Sequence, residues 1–135
     1  MPLVTQSQRL FTFTSPLGAD VFAVTEFHGR EELSRPFQFT LNLVSENADV
    51  RPADLIGLKV GWSVTFPTDT PRHFHGYVSR FSAGPNLNRK LRSYRIEVVP
   101  WLWFLTRTTD CRIFQEMTAP DIIEKVIKAA GIKPN

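Results

Sequence analysis

Alternation of apolar and polar side chains is the feature that most constrains the fold of this chain. Across residues 37–43 every odd-numbered residue is apolar and every even-numbered residue is polar. Because successive side chains of a β-strand point to opposite faces, four apolar groups then share one face of a sheet. The same alternation recurs over residues 60–66 and 94–98, and more briefly at Phe11 and Phe13. It predicts a mainly β protein.

Turn-forming residues separate these runs. Residues 15–18 (SPLG) stand between the first two predicted strands and are short enough for a hairpin, while residues 67–71 (PTDTP) and 83–88 (AGPNLN) bound the later ones. The run 21–27 is apolar on both faces at its start, as in an enclosed strand. Six short strands with frequent turns predict an antiparallel β-barrel or sandwich. We favour a barrel of about six to seven strands, since its closure would also remove exposed sheet edges.

The C-terminal stretch has helical spacing instead. Thr118 is a predicted N-cap, Pro120 and Asp121 suit the first turn, and Gly131 with Pro134 supplies the stop. One apolar stripe is formed by Ile122, Ile123, Val126, Ile127 and Ala130. We therefore expect a β-barrel over residues 1–115 and a C-terminal α-helix within residues 116–135.

Composition bounds the class of protein. The chain has 135 residues, of which 42% are hydrophobic and 21% charged, as in one ordinary globular domain. Cys111 is the only cysteine, which excludes an internal disulfide and a multi-cysteine zinc site. Residues 1–10 lack the layout of a secretory signal, so no classical export is expected. A net charge of +3 is low for a dedicated nucleic-acid binder.

Two histidines are the residues to consider for a metal. His73 and His75 are two apart on a predicted strand and therefore point the same way, with Asp69 or His28 as a further ligand. Two histidines without a defined third ligand are more often the outward neighbours of a core residue, here Phe74. We predict no metal and no cofactor.

No catalytic arrangement stands out. Cys111 is a candidate nucleophile beside Arg112, but free cysteine is more often a small buried hydrophobe, and core packing is the favoured interpretation. The serines lack a nucleophile-elbow setting, and no carboxylate pair is spaced for acid–base work. The sequence predicts that the chain is not an enzyme.

Charged residues concentrate in one stretch of the sequence, and that stretch is basic. It contains Arg89, Lys90 and Arg92, and Arg95 follows shortly after it. Three interpretations are open: a solvated hairpin loop, a loop that docks onto acidic groups of a protein partner, or a nucleic-acid contact. The last of these would stack bases on an oligonucleotide-type barrel, with three aromatic candidates: Trp62, Tyr77 and Phe81. Arg89, Lys90 and Arg92 are the candidate partner-facing residues.

Several short motifs together resemble one known family. Residues 26–37 (EFHGREELSRPF) are similar to the opening signature of the VgrG spike proteins of bacterial type VI secretion systems. Further matching motifs follow in order: LIG (55–57), FHG (74–76), PWLW (100–103), DCRIFQ (110–115) and PDII (120–123). Each is weak alone, but the ordered set is specific.

The resemblance implies a structural part of a contractile machine. Such proteins combine a phage baseplate hub, with two related β-barrels per subunit, and a trimeric needle. Residues 1–115 would be the first hub barrel, and residues 116–135 a helix leading into the remainder of the hub, which this chain lacks. By itself the chain is expected to be monomeric or weakly associating, with a poorly held terminal helix.

The resemblance also implies partners and a location. The full-length protein would form a homotrimer that docks on the hexameric Hcp tube and contacts baseplate proteins and effectors or adaptors. It would be assembled in the bacterial cytoplasm and then secreted by the type VI system into target cells or medium. No nucleic acid is expected as a partner, and no direct membrane insertion by this part of the chain.

The matching motifs imply roles in the fold. Leu33, Phe37 and Phe74 are expected in the core, Gly29 and Gly76 at sites where the backbone is closely approached, and Pro36 and Pro100 at strand boundaries.

Overall fold

The computed structural model describes residues 4–7, 9–67 and 70–131 of the chain. The chain divides into two compact units, residues 1–100 and residues 101–135. The first unit holds every strand that is described, and the second holds the two α-helices. This division lies before the predicted limit at residue 115, and the extent of the barrel domain in the whole protein stays a prediction.

The described part of the first unit forms one antiparallel sheet of six strands, in the order β1-β4-β5-β6-β3-β2. The strands are β1 (Phe11–Thr14), β2 (Ala23–Glu32), β3 (Arg35–Ser45), β4 (Lys59–Val64), β5 (Arg72–Asn86) and β6 (Arg92–Val99). The sheet curls until its two edge strands approach, and Phe11 of β1 contacts Phe27 of β2 edge to face at 5.9 Å. No ladder joins β1 to β2 among the described residues. The mainly antiparallel β prediction is confirmed, with the barrel realised as a curled half-barrel.

The core follows the predicted alternation. On β3 the side chains of Phe39, Leu41 and Leu43 are buried, whereas those of Thr40 and Asn42 lie on the other face. Strands β4 and β6 repeat the pattern with Val60, Trp62, Val64, Tyr94, Ile96 and Val98. Burial of these large apolar groups on one face stabilises the curled sheet.

Three local predictions differ from the structure. Residues 15–18 do not connect a hairpin, because β1 pairs with β4 and lies at the opposite edge of the sheet from β2. Strand β5 continues through Asn86, with a register shift after Ala83, where a turn was expected. Phe66 lies beyond the end of β4 and is 54% exposed, so the alternation does not predict its burial correctly.

The second unit contains a short helix α1 (Leu102–Leu105) and the predicted helix α2 (Ala119–Ala129). Thr118 and Asp121 cap the start of α2 reciprocally, as in a capping box. Gly131 has a φ of 69° after the helix ends, whereas Pro134 lies outside the described residues. Over residues 101–131 no side chain is fully buried. None of the described helices has the length and apolar character needed to cross a bilayer.

Candidate interaction surfaces at the two ends of the sheet

The predicted metal candidates do not converge in the structure. His73 and His75 are both exposed on β5, on either side of the half-buried Phe74. His28 lies on β2, where its Nε2 atom is 3.0 Å from Oε1 of Glu26. Across the described ranges no group of three histidine, cysteine or acidic residues is placed to hold a metal ion. The remaining candidate, Asp69, lies outside the described residues.

Cys111 is exposed, so the prediction that it packs in the core is wrong. It lies between α1 and α2 in a segment without regular secondary structure. The neighbouring Arg112 is engaged elsewhere: its Nε atom donates to Oδ2 of Asp110 at 2.6 Å. This hydrogen bond lowers the pKa of Asp110.

The hairpin between β5 and β6 forms one end of the curled sheet, which we call the basic end (residues 86–92 together with the facing loop 46–51). Asn88 shapes its turn, because its Oδ1 atom accepts from the backbone N–H groups of Lys90 and Leu91, both at 2.8 Å. Such side-chain turns are typical of asparagine. The side chains of Arg89 and Lys90 are exposed, and no acidic partner for either is found in the described part of the chain.

Arg92 has a different role from its two neighbours. Its Nη1 atom donates to the carbonyl oxygen of Ala48 at 2.7 Å, and its Nε atom donates to that of Gly84 at 3.1 Å. The buried Tyr94 supports the same loop by donating its hydroxyl to the carbonyl oxygen of Asn47 at 2.7 Å. Arg92 therefore ties the basic hairpin to the facing loop. Whether Arg89, Lys90 and Arg92 face a partner stays a prediction.

The stacking residues of the nucleic-acid interpretation do not form a surface platform. The Trp62 side chain is only 2% exposed and belongs to the core. Phe81 is partly buried against the same core, and Tyr77 is half-buried. Base stacking needs an accessible aromatic face, so the basic end provides charge without the stacking surface.

The β2–β3 hairpin forms the opposite end of the sheet, which we call the apolar end. Its turn consists of Leu33 and Ser34, since Glu32 is paired with Arg35. The Leu33 side chain is 98% exposed, so its predicted core position is wrong. The reason is its place in the turn, where no sheet face lies beneath the side chain. Ser34 has a φ of 64°, a left-handed conformation that non-glycine residues adopt uncommonly.

Exposed ion pairs surround the tip of this hairpin. Glu32 is flanked by two arginines: Arg30 contacts its Oε1 atom, and the Nε atom of Arg35 lies 3.6 Å from its Oε2 atom. Glu31 lies at a register irregularity of β2 and is reached from β5 by the Nη2 atom of Arg72, also at 3.6 Å. Ion pairs therefore connect the tip within the hairpin and across the curl of the sheet to β5.

Further apolar side chains lie at the same end. The Arg72–Glu31 contact brings the β4–β5 connection beside the hairpin, and Phe66 belongs to that connection. The N–H of Thr65 donates to the carbonyl oxygen of Leu10 at 2.8 Å, which places Leu10, itself 42% exposed, next to Phe66. This surface was not predicted from the sequence. A leucine in a turn between charged residues was the available signal.

The two glycines predicted at close approaches lie where predicted. A Cβ atom on Gly29 would lie 2.2 Å from the ring of Phe39, and one on Gly76 would lie 2.6 Å from the Val98 side chain. Phe37 and Phe74 are partly buried and pack against the core. Pro100 directly follows β6, and Pro36 is the second residue of β3.

Among the described residues, each unit has a recess that is open to solvent and partly apolar. The second unit has a groove of about 730 Å³ whose lining includes Phe104, Phe114, Val126 and the paired Asp110 and Arg112. The basic end has a shallower recess of about 440 Å³, whose lining includes Val50, Pro52, Phe81, Arg51 and Arg92. Both recesses therefore have an arginine in their lining.

A family model for the phage tail baseplate hub (GPD) matches residues 30–135, which is more than half of the chain. This chain belongs to the phage tail baseplate hub family. The match begins within β2 and includes the tip of the β2–β3 hairpin, strands β3 to β6 and the whole second unit.

The hub chain is also similar to two spike proteins of Pseudomonas aeruginosa. It is 44% identical over 126 residues to the type VI secretion system spike protein VgrG1b, covering 93% of this chain and 17% of that protein. It is 42% identical over 129 residues to the spike protein VgrG1c, covering 96% and 18%. The hub chain thus spans less than a fifth of the length of these relatives.

A solved structure shows the same fold. It is the c3393 protein of E. coli, described as a component of the type VI secretion system with structural similarity to the T4 bacteriophage tail proteins gp27 and gp5. The superposition has a TM-score of 0.65 at 22% identity and covers 79% of this hub chain and 31% of that one. The family and these relatives are named as hub and spike components, structural parts rather than enzymes, which agrees with the non-enzymatic prediction.

Proposed function

We propose that this hub chain is the first barrel of a type VI secretion spike, and that it acts by assembly rather than catalysis. Three copies of the full-length protein would form a ring that docks on the end of the hexameric Hcp tube. The observation that carries the proposal is the match of residues 30–135 to the baseplate hub family, on a curled antiparallel sheet with the same fold as a secretion-system component.

Further partners and a location follow from the same proposal. The assembled spike would contact baseplate proteins and carry effectors or their adaptors. It would form in the bacterial cytoplasm and leave with the expelled machine, into target cells or medium. Broad complementary surfaces, rather than one cleft, suit such a symmetric assembly.

The basic end is the proposed docking surface for acidic groups of a partner. Arg89 and Lys90 are exposed at the hairpin tip and carry charges with no acidic partner among the residues described, while Arg92 holds the hairpin in place. Charged groups of this kind direct encounter and orientation more than they add affinity. We expect Arg89 and Lys90 to contribute a salt-sensitive part of the docking.

Light scattering and co-sedimentation of the full-length protein test the proposal. We expect a trimeric mass and sedimentation with purified Hcp tubes. The double variant Arg89→Glu/Lys90→Glu should keep the trimer and weaken sedimentation at low salt, whereas Lys59→Glu, an exposed cation on β4, should behave as the wild type. A full-length protein that stays monomeric at micromolar concentration would refute the proposed assembly.

A further inference from the structure

Arg92 stands where three parts of the basic end meet. It is the first residue of β6, and it pairs with Ser45 of β3 on one side and with Asn86 of β5 on the other. Its side chain reaches in two directions, because Nη1 donates to the carbonyl oxygen of Ala48 and Nε donates to that of Gly84. One guanidinium therefore joins β6, the facing loop and the irregular stretch of β5 before the hairpin.

Tyr94 gives this contact a fixed base in the core. Its ring is buried and contacts the rings of Phe22 and Phe81 at 5.8 and 5.5 Å. The guanidinium carbon of Arg92 lies 5.8 Å from the centroid of the Tyr94 ring, within the range of a cation–π contact. The Tyr94 hydroxyl donates to the carbonyl oxygen of Asn47, one residue before the carbonyl that Arg92 binds. Two side chains of β6 thus hold successive carbonyl groups of one loop.

The guanidinium of Arg92 is engaged within the domain. Its Nη1 and Nε atoms both donate to carbonyl oxygens, and no ion pair of Arg92 is found among the residues that the structure describes. Lysine carries the same charge on a single ammonium group, whereas the planar guanidinium can bind two separated carbonyl groups at once. The geometry of this site, more than its charge, therefore requires arginine.

The tip of the same hairpin has the opposite arrangement. The side chains of Arg89 and Lys90 are exposed, and Asn88 fixes the turn through the N–H groups of Lys90 and Leu91. A charged group on an ordered turn loses less conformational freedom on binding than one on a mobile loop. The contacts made by Arg92 thus orient charges that belong to its neighbours.

We propose that Arg92 and Tyr94 are positioning residues of the basic end. They hold the hairpin tip in the orientation in which Arg89 and Lys90 meet the acidic groups of the docking partner, and neither of them touches that partner. This inference rests on the proposed function, and it assigns different roles to the residues of the basic run.

The salt dependence of binding separates a positioning residue from a contacting one, because charges that meet a partner's charges determine that dependence. Binding of the full-length spike to purified Hcp tubes is measured at several salt concentrations. Arg92→Lys retains the charge but cannot hold both carbonyl groups. We expect it to bind about 3- to 10-fold more weakly at every salt concentration, as for the loss of one hydrogen bond. Arg89→Gln should weaken binding at low salt only and so flatten the salt dependence.

Tyr94→Phe tests the second contact without disturbing the core. It retains the buried ring and removes only the hydroxyl that binds Asn47, so we expect binding about 2- to 5-fold weaker with an unchanged salt dependence. Arg80→Lys is the matched control, because Arg80 is an exposed arginine of β5 that lies outside the basic end and pairs with Glu97. It should bind the tubes as the wild type does.

Order in the hairpin provides a readout that does not need the tube. The N–H groups of Lys90 and Leu91 bind Asn88, and their amide exchange should become faster in Arg92→Lys but not in Arg80→Lys. Unchanged exchange at these two amides in Arg92→Lys would overturn the positioning role.

The outcomes distinguish this role from the proposed docking. Binding of Arg92→Lys at wild-type strength overturns the positioning role and leaves the docking intact, since lysine then replaces arginine as a charge. A salt dependence flattened in Arg92→Gln as much as in Arg89→Gln would show that Arg92 meets the partner, which also overturns the role. A wild-type spike that does not bind the tubes overturns the docking itself. If Arg92→Lys loses the trimer by light scattering, Tyr94→Phe decides the question in the same assay.

Discussion

Trp62 and Phe74 are stacked on neighbouring strands, with ring centroids 5.4 Å apart and ring planes within 10° of parallel. They are direct register partners on β4 and β5, so the stacking follows from the pairing of the two strands. Trp62 also contacts the ring of Phe39 at 5.2 Å and that of Phe27 at 6.1 Å, on β3 and β2. One tryptophan thus joins four strands of the curled sheet.

The ring of Phe39 packs so closely on Gly29 that the backbone leaves no room for a side chain at position 29. Gly29→Ala would place a methyl group 2.2 Å from the Phe39 ring, so the ring or the strand must move. We expect a loss of about 1–3 kcal/mol in the free energy of unfolding, as is typical of overpacking. Urea denaturation monitored by far-UV circular dichroism measures it.

Gly61→Ala is the matched control for that experiment. The nearest atom to a Cβ at Gly61 is the carbonyl oxygen of Phe74 at 3.5 Å, an ordinary contact. It should change stability by less than about 1 kcal/mol. Equal losses in the two variants would contradict the close packing of Phe39 on Gly29.

An alanine substitution of Arg92 should lower the free energy of unfolding more than the same substitution of Arg89 or Lys90. Arg92→Ala removes the hydrogen bonds to the carbonyl oxygens of Ala48 and Gly84. Because bonds to a charged group contribute about 1.5–3 kcal/mol each at most, and Arg92 is only half-buried, we expect a loss of about 1–2 kcal/mol. Arg89→Ala and Lys90→Ala should stay within about 0.5 kcal/mol of the wild type. Thermal or urea unfolding that ranks the three variants alike would argue against the anchoring role.

The cap of α2 should control the helix of the second unit. Thr118→Ala removes the side-chain half of the reciprocal contact with Asp121 and should cost about 1 kcal/mol of local helix stability. Amide hydrogen exchange over residues 122–130 should become faster, while exchange in the sheet is unchanged. Thr118→Ser retains the capping oxygen and should behave as the wild type; faster exchange in that variant too would show that the cap is not responsible.

Asp54 should titrate below the ordinary range of aspartate. Hydrogen bonds from the Arg51 side chain and backbone lower the pKa of Asp54. A carboxylate with a lowered pKa stabilises the fold above the pKa of the unfolded chain, and that stabilisation is lost as pH falls through the folded pKa. Arg51→Ala should therefore raise the pKa of Asp54 towards its ordinary value, as measured by carbon-detected NMR titration. Lys59→Ala is the control, and an unchanged Asp54 titration in Arg51→Ala would disprove the coupling.

The strands could be predicted because the alternation is a local property of the chain. The pairing of β1 could not, because its partner β4 is distant in sequence: Thr12 lies opposite Ser63 and their hydroxyls are within hydrogen-bond distance. A short connection at residues 15–18 predicts a hairpin, but β1 pairs with β4 instead, so β1 and β2 lie at opposite edges of the sheet. Long-range pairing is determined by closure of the core, which no short window of sequence contains.

The candidate surfaces were predictable only in part. The basic run was visible in the sequence, but a linear run does not show that Arg92 turns back onto the facing loop while Arg89 and Lys90 point into solvent. The matching motifs predicted a core position for Leu33, and the usual burial of free cysteine predicted one for Cys111, but both side chains are exposed. In each case the missing information was whether a sheet face lies beneath the side chain, which depends on the tertiary structure.

The unlike ends of the sheet give this domain a direction. One end presents the leucine tip, and the other presents arginine and lysine on a hairpin tied down by Arg92. If copies of the full-length protein form the proposed ring with the strands of this sheet running along the rotation axis, one rim of that ring would carry the exposed leucines and the other the cationic hairpins. The two faces of the proposed ring would then differ chemically, and that difference would already be present in a single subunit.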